Sequence, residues 1–164
     1  MPRALLLTLM LVTACSSGTT TTTTARPEVA CQTPPAAETE TISDLGLVVD
    51  PDPVHPREEA TLLVPPDGLP ADALSGVDAA WQCWDGSTWV TTHIVYRGVE
   101  GLAGQTIPVN SEFQIRVPSI GLPLGVAYPI VIPDVDPGIY RIGDDVILDA
   151  GPVSGFVVVE VTGD

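Results

Sequence analysis

The stretch Ala79-Ala80-Trp81-Gln82-Cys83-Trp84-Asp85-Gly86-Ser87-Thr88-Trp89-Val90-Thr91-Thr92-His93-Ile94-Val95-Tyr96 decides the fold. In its first six residues Ala79, Trp81 and Cys83 share one face of a strand, while Ala80, Gln82 and Trp84 share the other. Asp85, Gly86 and Ser87 make a tight turn, and Trp89 to Tyr96 returns as the hairpin partner. Outward from this hairpin the chain keeps one rhythm, short apolar runs bounded by Pro, Gly and Asp. Residues 45–49, 60–64, 106–109, 113–117, 128–132, 139–142 and 156–161 complete a set of eight or nine strands. The intervening segment 67–80 has room for one short helical turn. The last run, Val157, Val158, Val159 and Val161 around Glu160, is apolar enough to aggregate at a free edge, which predicts a strand paired on both sides.

Composition agrees with an all-β reading. Seventeen Pro and 15 Gly in 164 residues interrupt every stretch long enough for a substantial helix. A hydrophobic fraction of 45% and a mean hydropathy of +0.30 supply a core in spite of 5% aromatics. Strands without 10–15-residue helical patterns between them indicate a β-sandwich rather than a parallel sheet. Twenty-one acidic residues stand against six basic ones, all Arg, for a net charge of -15. Nucleic acid is thereby excluded as a partner, because a polyphosphate would be repelled.

The N-terminus carries an address. Met1, Pro2 and Arg3 precede an apolar run from Ala4 to Val12, too short to cross ~30 Å of hydrocarbon. Val12, Thr13, Ala14 and Cys15 resemble the lipobox of bacterial lipoprotein signal peptides. That resemblance implies a signal peptide over residues 1–14, cleavage before Cys15, acylation of its thiol and a mature chain moored on the outer face of the cell membrane. Several acyl chains at ~0.8 kcal/mol per buried methylene suffice for such an anchor. Thr19 to Thr24, with Pro27, Pro34, Pro35 and scattered Glu, have little to bury, so residues 15–43 read as the lipidated Cys and a disordered stalk before a domain over 44–164. The threonine run is either a bare spacer or a glycosylated one. Outside the cytoplasm the two remaining cysteines, Cys31 and Cys83, read as a disulfide. Closing that loop is worth ~4 kcal/mol in the chain-entropy account and pins the end of the stalk to the domain.

Asp136-Pro137-Gly138-Ile139-Tyr140-Arg141-Ile142 forms a second signal. Pro then Gly sets a tight turn, and Asp136, Gly138 and Tyr140 resemble the tyrosine corner of immunoglobulin-like domains. Ile142 stands where antibody domains place their second Cys, leaving Trp81 as the core tryptophan. Together with Trp84-Asp85-Gly86-Ser87-Thr88-Trp89, this segment is similar to bacterial immunoglobulin-like domains of lipoproteins. The resemblance implies an immunoglobulin-like β-sandwich outside the cytoplasm and carries no common reaction.

Catalytic chemistry finds little support. Ser119 and Ser154 lack the glycine of a nucleophile elbow, and His55 and His93 are the only imidazoles. Asp50, Asp52, Asp134 and Asp136 offer oxygen ligands on loops, but without EF-hand spacing they read as solvated surface. Trp84 and Trp89 flank the hairpin turn and are candidates for stacking on a sugar or anchoring a protein. The expectation is a non-catalytic lipoprotein without cofactor or metal, whose domain is an interaction or structural module for an envelope protein or glycan. A carbohydrate- or solute-binding lipoprotein and a secreted hydrolase are the alternatives.

Overall fold

The computed structural model describes residues 29–40, 45–99, 104–109, 121–149 and 151–163. The signal peptide, Cys15, the threonine run, the strand expected at 113–117 and Ser119 lie outside them. Among the described residues a single helical turn, α1 (Ala36–Thr39), precedes ten strands: β1 (Val48–Asp50), β2 (Glu59–Leu63), β3 (Leu74–Ser75), β4 (Asp78–Trp84), β5 (Trp89–Tyr96), β6 (Gln105–Pro108), β7 (Leu122–Pro123), β8 (Ala127–Val131), β9 (Gly138–Leu148) and β10 (Gly151–Val161). They form an all-β sandwich of two antiparallel sheets. The smaller has the order β1-β2-β8, and the larger runs β6-β5-β4-β9. Strand β10 occupies one edge of β9 along its full length, so β4 and β3 share the other, β4 against residues 140–143 and β3 against 146–147, with β7 outside β3.

Alternation places the core. Ala79, Trp81 and Cys83 from β4 and Tyr140, Ile142 and Val146 from β9 face Ala60 and Leu62 of β2 and Ile130 of β8. Trp81 is the fully buried tryptophan that the sequence predicts, tilted against Tyr140 with ring centroids 5.3 Å apart. The β4–β5 register shifts between Trp81 and Gln82, which leaves Thr92 as an extra residue and restores the Trp84–Trp89 pair at the turn.

Four expectations change. Residues 29–40, read as the last part of the stalk, lie against the domain: Gln32 bridges Trp84, its N–H donating to the Trp84 carbonyl at 2.8 Å, and Pro34 is buried. The disulfide overrides the polar composition by holding this segment to the domain. In place of a helical turn, residues 66–73 make two hydrogen-bonded turns, Leu69 N–H to Pro66 O and Ala73 N–H to Pro70 O, followed by the two-residue β3. The strand expected over 139–142 is longer: β9 runs on through Gly143, Asp144 and Asp145 to Leu148.

The last strand is also an edge strand rather than a central one. Among the described residues its outer edge meets the 52–54 segment instead of a strand: Val54 N–H donates to Glu160 O at 2.9 Å, the Val54 carbonyl accepts from Thr162 N–H at 3.0 Å, and Asp52 Oδ1 accepts from Glu160 N–H at 3.4 Å. Its apolar character comes from two occupied faces instead of two neighbouring strands. Val159 and Val161 enter the core, while Phe156 turns outward beneath Arg141. Pro152, which lacks an N–H, and the exposed Glu160 blunt the edge against pairing. Leu45 lies over Gly155 so closely that a Cβ there would come within 2.5 Å of the Leu45 Cβ. Glycine is required at that crossing.

Candidate functional site

The domain has one stapled pole and one open sheet face. At the pole, Cys31 is bonded to Cys83 with the Cα atoms 5.5 Å apart, as the sequence predicts. The turn beyond is closed by its own chemistry: Asp85 Oδ1 accepts from the N–H groups of Ser87 and Thr88, both at 2.8 Å, and from Ser87 Oγ at 2.9 Å. The Thr88 and Ser87 amides hold the Asp85 carboxyl below its ordinary range. Gly86 takes a φ of +102°, and the Gln32 side chain lies over it, donating to Asp85 O at 3.1 Å. Tyr140 Oη donates to the Asp136 carbonyl at 2.9 Å, the bond expected of the corner. Burial, then the Asp136 charge, pushes its phenol up.

The two indoles of the hairpin do not form an open platform. Trp84 is buried and meets Trp89 edge to face at 5.8 Å. Trp89 Nε1 donates to Glu38 Oε2 at 3.2 Å, and the Arg141 guanidinium covers its ring at 4.8 Å. The pair closes the end of its own core. Arg141 is also 4.7 Å from the Phe156 ring, and its Nε donates to Gln82 Oε1 at 2.5 Å. Burial lowers its guanidinium from the ordinary value and Glu38 acts against that, but a guanidinium stays charged.

The polar residues singled out in sequence are dispersed. His55 Nδ1 lies 3.3 Å from both Thr162 O and Thr162 Oγ1, while His93 sits opposite Trp81 with its Nδ1 3.0 Å from Thr92 Oγ1. Ser154 Oγ donates to Asp145 at 2.6 Å. Asp134 pairs with Arg57 at 2.5 Å across an exposed loop, Asp52 Oδ1 accepts from Glu160 N–H at 3.4 Å, and Asp50 supplies its carbonyl to Thr61. Among the described residues no three His, Cys, Asp or Glu side chains converge as a metal site.

His93 lines a recess of about 980 Å³ between the stapled segment, β5 and residues 134–140. Burial pulls its imidazole below the ordinary 6.5. As pH falls below that value, the unfolded chain takes up a proton that the folded chain resists, so stability falls with it. His93→Gln is expected to flatten the loss of stability between about pH 7 and pH 5, read as urea midpoints. Equal slopes in parent and variant would show that His93 does not titrate on unfolding.

Sequence reasoning did not find the buried ion pair. Arg97, just past β5, turns inward and donates to Asp144, to Ser75 Oγ at 2.5 Å and to Gly76 O at 2.7 Å. Both charged side chains are almost wholly buried, at 1% and 0% exposure. Burial pushes the Asp144 carboxyl above its ordinary range, with Arg97 and the Asp145 N–H acting in the opposite direction. Arg97 Nε and Trp81 Nε1 have no hydrogen-bond partner among the described residues.

The open face is the outer side of the larger sheet. There a trough of about 660 Å³ is floored by Ala80 and Gly143 and walled by Ile94 and Phe156. Comparison of the chain with known protein families, curated proteins and solved structures finds no match.

Proposed function

We propose that the chain is a non-catalytic, lipid-anchored lipoprotein whose immunoglobulin-like sandwich is an interaction module on the outer face of the cell membrane. The observation that carries this reading is the Cys31–Cys83 disulfide. Such bonds persist in oxidising compartments outside the cytoplasm, where the lipobox-like Val12-Thr13-Ala14-Cys15 would deliver the chain. The Tyr140–Asp136 bond and the buried Trp81 support the immunoglobulin-like reading. The edge-to-face packing of Trp84 on Trp89, with Arg141 over the Trp89 ring, supports the interaction-module reading over the carbohydrate-binding alternative.

Inhibiting the lipoprotein signal peptidase with a globomycin-type compound is expected to accumulate a larger precursor. Mass spectrometry of the untreated protein is expected to find a mature chain beginning at an acylated Cys15. A mature N-terminus without acyl mass would overturn the anchor.

A further inference from the structure

A solvated sandwich presents polar side chains on its outer faces. The larger sheet departs from that rule where four neighbouring strands present Ile94, Ala80, Gly143 and Phe156 side by side. The order large, small, small, large makes a trough along β4 and β9. At one end Arg141 is already engaged by Gln82, Trp89 and Phe156. At the other lie Asp78 and Asp145, both exposed, with Ile147 beside them at 60% exposure. Among the described residues neither carboxylate forms an ion pair.

We propose that this trough receives a basic side chain from a partner protein, its apolar stem lying over Ala80 and Gly143 between Ile94 and Phe156 and its charged head meeting Asp78 and Asp145. Lysine and arginine suit such a site because each buries a long methylene stem while its head stays polar. The distance from Arg141 to Asp145 along β9, four residues at ~3.3 Å each, is about 13 Å, enough for a basic residue and its apolar neighbours in an extended segment. Charge selects among occupants. A second copy of this chain would bring another net -15 to an acidic rim, and polyanions would be repelled. The inference rests on the reading of the domain as an interaction module but not on the acyl anchor.

The test titrates the full-length chain with the capped peptide Val-Lys-Val-Lys-Val, its glutamate counterpart Val-Glu-Val-Glu-Val, and chitotetraose. Saturable binding of the lysine peptide alone is expected. The double variant Asp78→Asn/Asp145→Asn should weaken it about tenfold, as for two partly screened charge contacts. Gly143→Val should abolish it by filling the floor, since a Cβ there meets its nearest neighbour, Gly155 O, at an ordinary 3.7 Å. Should the valine variant fail to fold, the carboxamide pair still decides. No saturation with the lysine peptide, equal binding of the glutamate peptide, or indifference to the substitutions would overturn the proposal. Chitotetraose binding lost in Gly143→Val would reassign the trough to glycans. Peptide binding retained by a chain without acyl mass would overturn the anchor alone.

Discussion

Arg97→Met is expected to cost about 3–5 kcal/mol of unfolding free energy, because it leaves the Asp144 carboxylate buried without its counter-charge. Asp144→Leu should cost a similar amount by stranding the guanidinium. The double variant is expected to recover most of the loss and to fall within about 1–2 kcal/mol of the parent, since an apolar pair of similar volume avoids the desolvation of both ions. Urea unfolding of the four proteins closes the cycle. Single variants costing no more than about 1 kcal/mol, the range for the exposed Arg57–Asp134 pair, would show that water reaches Asp144. The pair fixes β3 as well, for Arg97 bonds Ser75 and the Gly76 carbonyl next to it.

The second large effect belongs to the staple. Cys31→Ser/Cys83→Ser is expected to lower stability by about 2–4 kcal/mol, chiefly by freeing the unfolded chain from a closure across 52 residues of sequence. The unfolded variant should expose more surface, so its urea dependence should steepen while the midpoint falls. Loss of the Trp89–Glu38 bond would accompany it if residues 29–40 leave the pole, visible as a change in tryptophan emission. Unchanged midpoint and slope would show that the closure does not constrain the unfolded chain, whereas unchanged emission alone would show that Gln32 on Trp84 and the buried Pro34 hold the segment without the bond.

The hairpin at 79–96 was legible because every level of the sequence agreed there: alternation, β-branched residues and an Asp-Gly turn. Cys31 and Cys83 were legible by arithmetic. By contrast, Gly143-Asp144-Asp145 has the composition of a turn, yet β9 continues through it, and the cation that meets the buried Asp144 is Arg97, reaching in from just past β5. Arg97 itself reads as an ordinary charge after the apolar Val95, and nothing local says that it turns inward. The two-residue strands β3 and β7 are too short to leave a pattern. The acidic end of the trough was visible as sequence but not as a site. Ala80 and Gly143 become its floor only in the β4–β9 register, which brings together residues 63 positions apart.

The bond between Cys31 and Cys83 makes a covalent ring of the chain between them, and β1, β2 and β3 lie within it. A protease cutting inside that ring, for instance at the exposed turn of Asp67 and Gly68, would open the polypeptide without releasing a fragment. The nicked protein would run at its full mass on a gel until a reductant was added. Only a cut outside the ring can shed part of this body, so in an environment rich in peptidases the staple converts a severing event into a local scar.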